Sequence, residues 1–413
     1  MQQLQKKVQV MNAEDFKKLH QDGYNNAYFD WLRNRKDGDG EYLYTEEEAW
    51  QYSRNDDNEQ RIARGVPESG SMYLLCPDIV NSNYNTDWQD ELFRNAPMHK
   101  VNFSVSGGRD RSRFMFSLGY LNQDGIIAPG NHQRITSRLN MDFDVSKHFM
   151  VGVSTNMYYV KERVVRTDGL AFNDGIILNA LCMPPTYPVR NEDGSYAVGI
   201  SYKNGESSTM PYLCFGGENP VALANGRKEY NTKARFGINA YAQYTFLDGF
   251  FAKVDLGMQI ADQIYNLYRP LSLGQSNYAP GDPKNEQVVC KDYRDFNTDW
   301  LLEATLNYNK TLKEKHTINA VLGYSMQRKM YNNIDAKSVL GAYTDDRIET
   351  LAAAQPTESD ENGTSAVSDL FGWSLMSVFA RAMYSYDKRY TLSLTVRGDG
   401  CSRFGATNRW GFF

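Results

Sequence analysis

Arg134-Ile135-Thr136-Ser137-Arg138-Leu139-Asn140-Met141-Asp142-Phe143-Asp144 is the stretch that decides the fold. In an extended chain Ile135, Ser137, Leu139, Met141 and Phe143 share one side, and Arg134, Arg138, Asp142 and Asp144 share the other. A slip of one residue would exchange the two sets. Where the first side meets hydrocarbon, a Lys or Arg at the midplane costs about 2–4 kcal/mol, so the register is firmly set. A soluble sandwich shows the same alternation under a weaker penalty.

The period of two begins at Met98 and recurs. His99, Val101, Phe103 and Val105 oppose Lys100, Asn102, Ser104 and Ser106; Phe114, Phe116, Leu118 and Tyr120 oppose Arg113, Ser117 and Gly119. Further strands are expected around 149–156, 234–245, 250–260, 300–309, 318–327, 374–386 and 389–397. That makes about ten strands, many near the ten-residue length of a tilted membrane strand. Short turns are expected at 107–112, 145–148, 247–249, 310–315 and 386–389. Long connections are expected at 162–231, 262–297 and 328–372, with a modest one at 121–133. Short and long alternate, as in a barrel with tight periplasmic turns and long external loops. Tyr244, Phe246, Phe250, Phe251, Tyr384, Tyr386 and Tyr390 cluster beside the short turns, which fits an interfacial girdle. The expected fold is all-β: an antiparallel up-and-down transmembrane β-barrel, here part of a larger one.

Residues 1–97 read differently. Ala13–His20 is a helix candidate with Asn12 as N-cap. A second begins at Thr45, with Glu48 completing a capping box, and Asn85–Phe93 reads as a short third.

Composition agrees. The 45 Lys+Arg and 50 Asp+Glu leave a net charge of −5, which excludes the concentrated basic surface of a nucleic-acid binder. No apolar run is long enough for a transmembrane helix, but barrel strands escape such a search because only alternate residues meet lipid. Five cysteines (76, 182, 214, 290, 401) and five isolated histidines show no metal-ligand spacing. A Cys182–Cys214 bridge is open; unpaired thiols are the simpler reading. No apolar leader opens the chain and Phe412-Phe413 approaches another strand, so the sequence reads as cut at both ends.

Other motifs have plainer explanations. Arg397-Gly398-Asp399 spells an integrin tripeptide but lies in a strand pattern; Asp37-Gly38-Asp39-Gly40 lacks calcium-loop order. Paired carboxylates such as Asp142/Asp144 suit polar lining better than glycoside hydrolysis. No Ser/His/Asp arrangement assembles, so no enzyme activity is expected.

Several segments resemble SusC/RagA-type TonB-dependent transporters of the outer membrane. They are Thr86–Phe93, Val105-Ser106-Gly107-Gly108, Ser117–Ile127, Arg134–Asn140, Val151–Ser154, Arg397–Gly405 and Asn408–Phe413, in the family's order. Cys401 stands where the family usually has Ser. The resemblance implies a barrel of about 22 strands around a plug. It makes 1–97 a segment just after that plug and 98–413 the N-terminal part of the barrel. It further implies import of oligosaccharides or peptides without a cofactor. The implied partners are a SusD-like surface lipoprotein, the TonB complex through an upstream segment, and outer-membrane lipid, in a Gram-negative, Bacteroidota-like cell envelope. Under this reading Arg134, Arg138, Asp142 and Asp144 face the lumen. Tyr187, Tyr196, Tyr202, Tyr212 and Phe215 in a long loop are candidate substrate contacts, since aromatic faces stack on sugars. A passive porin or adhesin barrel and a soluble carbohydrate-binding β-protein remain as alternatives.

Overall fold

The computed structural model describes residues 3–68, 73–169, 175–198, 218–273, 289–339, 342–343, 349–357 and 361–413. One sheet of eleven strands runs through it in sequence order, every neighbouring pair antiparallel. The strands are β1 (Met98–Arg109), β2 (Ser112–Asp124), β3 (Asn131–Asp144), β4 (Phe149–Arg163), β5 (Lys228–Leu247) and β6 (Phe250–Arg269). They continue with β7 (Val289–Leu312), β8 (His316–Ser338), β9 (Thr364–Tyr386), β10 (Tyr390–Cys401) and β11 (Trp410–Phe412). The sheet is open, with β1 and β11 at its edges. The up-and-down barrel fold read from the sequence stands, as a part of a barrel wall.

Alternation puts one apolar residue per rung on the same face. Val101, Tyr120, Ile135, Tyr159 and Ala234 are paired in succession across β1–β5. That face is broadly exposed: Val101, Leu118, Met141, Leu256, Leu322 and Leu394 each show 44–67 % of their surface. So much exposed apolar side chain in one continuous sheet face marks a surface meant for contact. From Ile135 to Phe143 the apolar stretch of β3 covers eight residue steps, about 27 Å at roughly 3.4 Å each. Tilted by about 40°, this gives a band of about 20 Å before the flanking aromatics, close to the apolar height of an outer-membrane barrel.

Both margins of the band are visible. At the end carrying the long loops, the apolar face turns polar at Asn122, Gln133, Lys161 and Thr232, which lie side by side in the ladder. On β6 and β7 the margin is a bidentate ion pair, Arg294 Nε and Nη2 donating to Asp262 Oδ1 and Oδ2 at 3.0 Å each. At the short-turn end an aromatic belt crosses the sheet. Phe149, Tyr244, Phe246, Phe250 and Tyr308 contact in series with centroids 4.4–6.5 Å apart. His316 then meets Tyr384 and Tyr386. A register shift between Thr245 and Leu247 puts the extra residue, Phe246, into this belt. Phe251 is the exception to the expected girdle: its parity places it with Asn307, Val321 and Arg381 on the polar face.

The long stretches expected as connections are shorter than predicted. β5 begins at Lys228, β6 runs to Arg269, β7 starts at Val289, β8 reaches Ser338 and β9 starts at Thr364. Beyond the band both faces are polar or aromatic, as in Asp292-Tyr293-Arg294-Asp295, so the hydrophobic period vanishes while the hydrogen-bond ladder continues. The tight turns fall where expected. Lys313-Glu314 and Asp387-Lys388 adopt positive φ (49° and 58°, 50° and 55°), the backbone twist that tight hairpins favour.

Ahead of the sheet come α1 (Ala13–Arg33), α2 (Glu46–Asn55), α3 (Asn58–Ala63), α4 (Pro77–Val80) and α5 (Trp88–Leu92). Asn12 caps α1 and the Thr45/Glu48 capping box starts α2. α1 runs thirteen residues past His20, and α5 starts only at Trp88, capped by Asp87. Tyr28, Leu32, Ala49, Val66 and Leu74 form a small core around the fully buried Arg61. The Arg61 guanidinium donates to Asn25 Oδ1 and to the carbonyls of Asp56 and Tyr73, and stacks over the Tyr28 ring at 4.7 Å. Burial lowers its affinity for the proton, and raises that of the Tyr28 phenol, whose hydroxyl donates to Asp56.

Candidate functional site

The face opposite the apolar band is polar and hydrogen-bonded from strand to strand. Arg134, Arg138 and Asp142 all lie on it, paired respectively with Val160, Asn156 and Gly152 of β4. Asp144 shares the parity, opposite Met150. Tyr241 on β5 crosses Gly152 and donates to Asp142 Oδ1 at 2.7 Å. Near the long-loop end a relay crosses four strands: His132 Nδ1 meets Glu162 Oε1 at 2.8 Å, Asn231 Nδ2 donates to Glu162 Oε2 at 3.2 Å, and Gln263 Nε2 donates to Asn231 Oδ1 at 3.2 Å. Lys233 adds an ion pair to Glu162 at 3.7 Å.

Farther along, Lys253 pairs with Asp255, Gln327 donates to both Asp299 oxygens, and Lys291 pairs with Asp335. On β10, Arg397 Nε donates to Asp399 at 2.7 and 2.9 Å, and Nη2 to Ser377 Oγ. The integrin-like tripeptide is thereby held straight within the ladder. Acids and bases pair with one another along this face, and no group of three or more metal-ligating side chains occurs among the described residues. Alternate polar positions in long strands foretell such a wall; the individual bonds depend on register, which one sequence does not specify.

Sequence reading missed an aromatic cluster on the same face. Tyr331 and Phe371 stack with centroids 4.5 Å apart and planes 14° apart, with Lys329 over Tyr331 and Arg403 over Trp373. The signal was present in the parity of 329, 331, 371 and 373, but the first three fell inside the stretch 328–372 expected to be a connection, and Trp373 lay just ahead of the strand expected from 374.

The long-loop end is closed on one side by an apolar core. Cys76, Ile79, Trp88, Leu92 and Ile127 pack with Ile176, Ala180, Met183, Tyr187, Ala222, Leu223 and Leu273. Two short helices in the loop after β4 serve it, α6 (Ile176–Cys182) and α7 (Pro220–Gly226). Tyr187, expected as an open substrate contact, is instead buried in this core at 3 % exposure, because the loop folds onto α5. Tyr196 packs on the same core from outside and lies under the Arg190 guanidinium at 4.1 Å, its hydroxyl accepting from Arg190. Tyr202, Tyr212 and Phe215 lie outside the described residues. A cavity of about 510 Å³ sits between the 125–130 turn and the loop after β4, lined by His132, Glu162, Asp124, Asn131 and Ile177 among others.

No family model matches the chain. It is 28 % identical over 335 residues to the TonB-dependent receptor P39 of Formosa agariphila, covering 81 % of this chain and 29 % of that protein. It is 25 % identical over 342 residues to the TonB-dependent receptor SusC of Bacteroides thetaiotaomicron, covering 80 % of this chain and 31 % of SusC. A solved structure of the RagAB peptide transporter matches all of this chain and 42 % of its own, with a TM-score of 0.63 at 20 % identity. The chain thus spans about a third of the length of the curated relatives it matches. The resemblance to SusC/RagA-type TonB-dependent receptors read from the hairpin motifs is borne out in sequence and in fold.

Proposed function

We propose that this chain, similar in sequence to SusC-type TonB-dependent receptors and in fold to RagAB, forms part of the wall of an outer-membrane importer. The observation that carries the reading is the exposed apolar band, bounded by an aromatic belt at the short turns and by polar residues beneath the long loops. A surface of that height and with those margins suits a bilayer. The polar face then lines the lumen, with Arg134, Arg138, Asp142 and Asp144 among its residues. A plug would precede the barrel in the longer polypeptide and contact the TonB complex. A SusD-like lipoprotein would cover the external mouth, in a Bacteroidota-like outer membrane. Oligosaccharides or peptides are the substrate classes, and both suit a wall of paired charges and amides. Nothing in the reading calls for catalysis.

Spin labels at Leu139 and Arg138 of the full-length protein in vesicles test the wall. Dissolved oxygen should reach the first and a water-soluble relaxation agent the second; equal accessibility to water would end the membrane reading. Uptake of labelled oligosaccharides or peptides by intact cells tests the mechanism. Uptake that stops when the proton gradient is collapsed supports TonB-driven import, whereas uptake indifferent to the gradient favours a passive pore.

A further inference from the structure

The apolar face of the sheet carries positive charge at one place where nothing on that face answers it. On β8, β9 and β10 the even-numbered residues make up this face, and no carboxylate occurs among them. Arg328 belongs to that set and is exposed, standing between Trp300 of β7 and Ser374 of β9 in the ladder. His316 of the aromatic belt and Arg328 are twelve residues apart on β8. At about 3.4 Å per residue and a tilt of about 40°, Arg328 stands about 31 Å from the belt, past hydrocarbon and level with headgroups. Phe250 and Asp262 are also twelve residues apart on β6, so the Arg294–Asp262 pair marks the same level. There the guanidinium is neutralised, whereas neither Arg328 nor Arg409 forms an ion pair among the described residues.

Beside Arg328 the face is hollow. A recess of about 430 Å³ opens there, floored by Met326, Met376 and Gly400, which follow one another across a single rung. Trp300 and Trp410 wall it. Gly400 shapes the floor: it pairs with Trp410, whose ring lies so close over it that a β-carbon there would stand 2.8 Å from Trp410 Cε2. Arg328 and Arg409 are the charged residues of the lining. Arg409 Nε donates to Phe404 O at 3.3 Å, and its terminal nitrogens meet no acceptor among the described residues.

An apolar hollow walled by two indoles and edged by two guanidiniums is the complement of acyl chains joined to a phosphate. Indole rings settle where hydrocarbon meets headgroups, and guanidiniums take phosphate oxygens in pairs. A free phosphate would leave the apolar floor bare, and a neutral lipid would leave both cations unanswered. We propose that this recess binds a phosphorylated glycolipid of the external leaflet, of the lipid A type. Its acyl chains lie on Met326, Met376 and Gly400, and its phosphate is held by Arg328 and Arg409. The height above the belt selects that leaflet, and the proposal rests on the importer reading, which sets which end is external.

The test uses the full-length protein, stripped of lipid in a non-ionic detergent and followed by native mass spectrometry. Lipid A, lipid A freed of its phosphates, and phosphatidylglycerol are added in turn. One lipid A should be retained and the other two should dissociate far more readily. Arg328→Gln combined with Arg409→Gln should weaken lipid A binding about thirtyfold, taking roughly fivefold for each arginine. Arg111→Gln, the same charge change in a short turn at the other end, should leave it unaltered. Equal retention of the phosphate-free form or of phosphatidylglycerol overturns the proposal, and those comparisons need no variant to fold. Unaltered binding by the double variant overturns it as well. Recovery of the protein as a heat-modifiable barrel from the outer-membrane fraction is scored separately. Its absence there defeats the importer reading, whereas its presence without lipid selectivity defeats the site alone.

Discussion

The ring of Tyr241 lies across the backbone of Gly152 on the neighbouring strand, so that a β-carbon at 152 would stand 2.6 Å from Tyr241 Cζ and 2.7 Å from Asp142 Oδ1. Phe379 crosses Gly323 in the same way four strands on. A glycine beside a large ring lets the ring lie flat against the sheet and cover peptide groups. Gly152→Ala should therefore cost about 1–3 kcal/mol, the usual range for overpacking. Combining it with Tyr241→Ala should cost less than the sum of the two changes, since the collision goes with the ring. Heat-modifiable yield in vesicles, measured for both single variants and the double, checks the cycle.

The two faces of β3 should respond oppositely to the same charge. Leu139→Arg places a cation on the band and should lose about 2–4 kcal/mol near the midplane. Arg138→Leu places an apolar side chain on the polar face and should leave folding within about 1 kcal/mol, as expected for a surface change that breaks no buried bond. Urea titration of the full-length protein folded into vesicles measures both; equal losses would contradict the assignment of faces.

Arg61 should hold the helical module together without holding the barrel. Removing it leaves Asn25 and the carbonyls of Ser53, Asp56 and Tyr73 without that donor, and Arg61→Ala should destabilise the module by about 1–3 kcal/mol. Limited proteolysis should then cut within 13–75 while the strands from Met98 stay protected.

His20 gives the module a pH dependence. Burial lowers its pKa from 6.5 to about 4, and its Nε2 accepts the Cys76 amide. The folded module keeps the ring neutral while the unfolded chain protonates it below about 6.5. Stability should accordingly fall as pH drops from about 6.5 toward 4 and change no further from this cause below it. His20→Gln should flatten that slope in proteolysis rates measured across the window.

Much of the sheet was legible because lipid enforces a period of two. β3 could be registered from its own eleven residues, and the tight turns followed from their lengths. The strand ends could not be seen, since Asp262, Asn266, Asp292 and Arg294 put polar groups on the face that is apolar lower down. The caps at Asn12 and Thr45 announced two helices, but Gly23 and the Asn25-Asn26 pair hid the second half of α1. Tyr187 looked like an open platform because only the packing of distant segments, 76–92 and 220–224, shows it covered.

The aromatic belt has a mechanical consequence. Phe149, Tyr244, Phe246, Phe250 and Tyr308 touch in series across β4 to β7, and His316 meets Tyr384 and Tyr386 across β8 and β9. A strand that slid along its axis by one rung would break ring contacts with its neighbours as well as ladder hydrogen bonds, so the belt locks this part of the wall against shear.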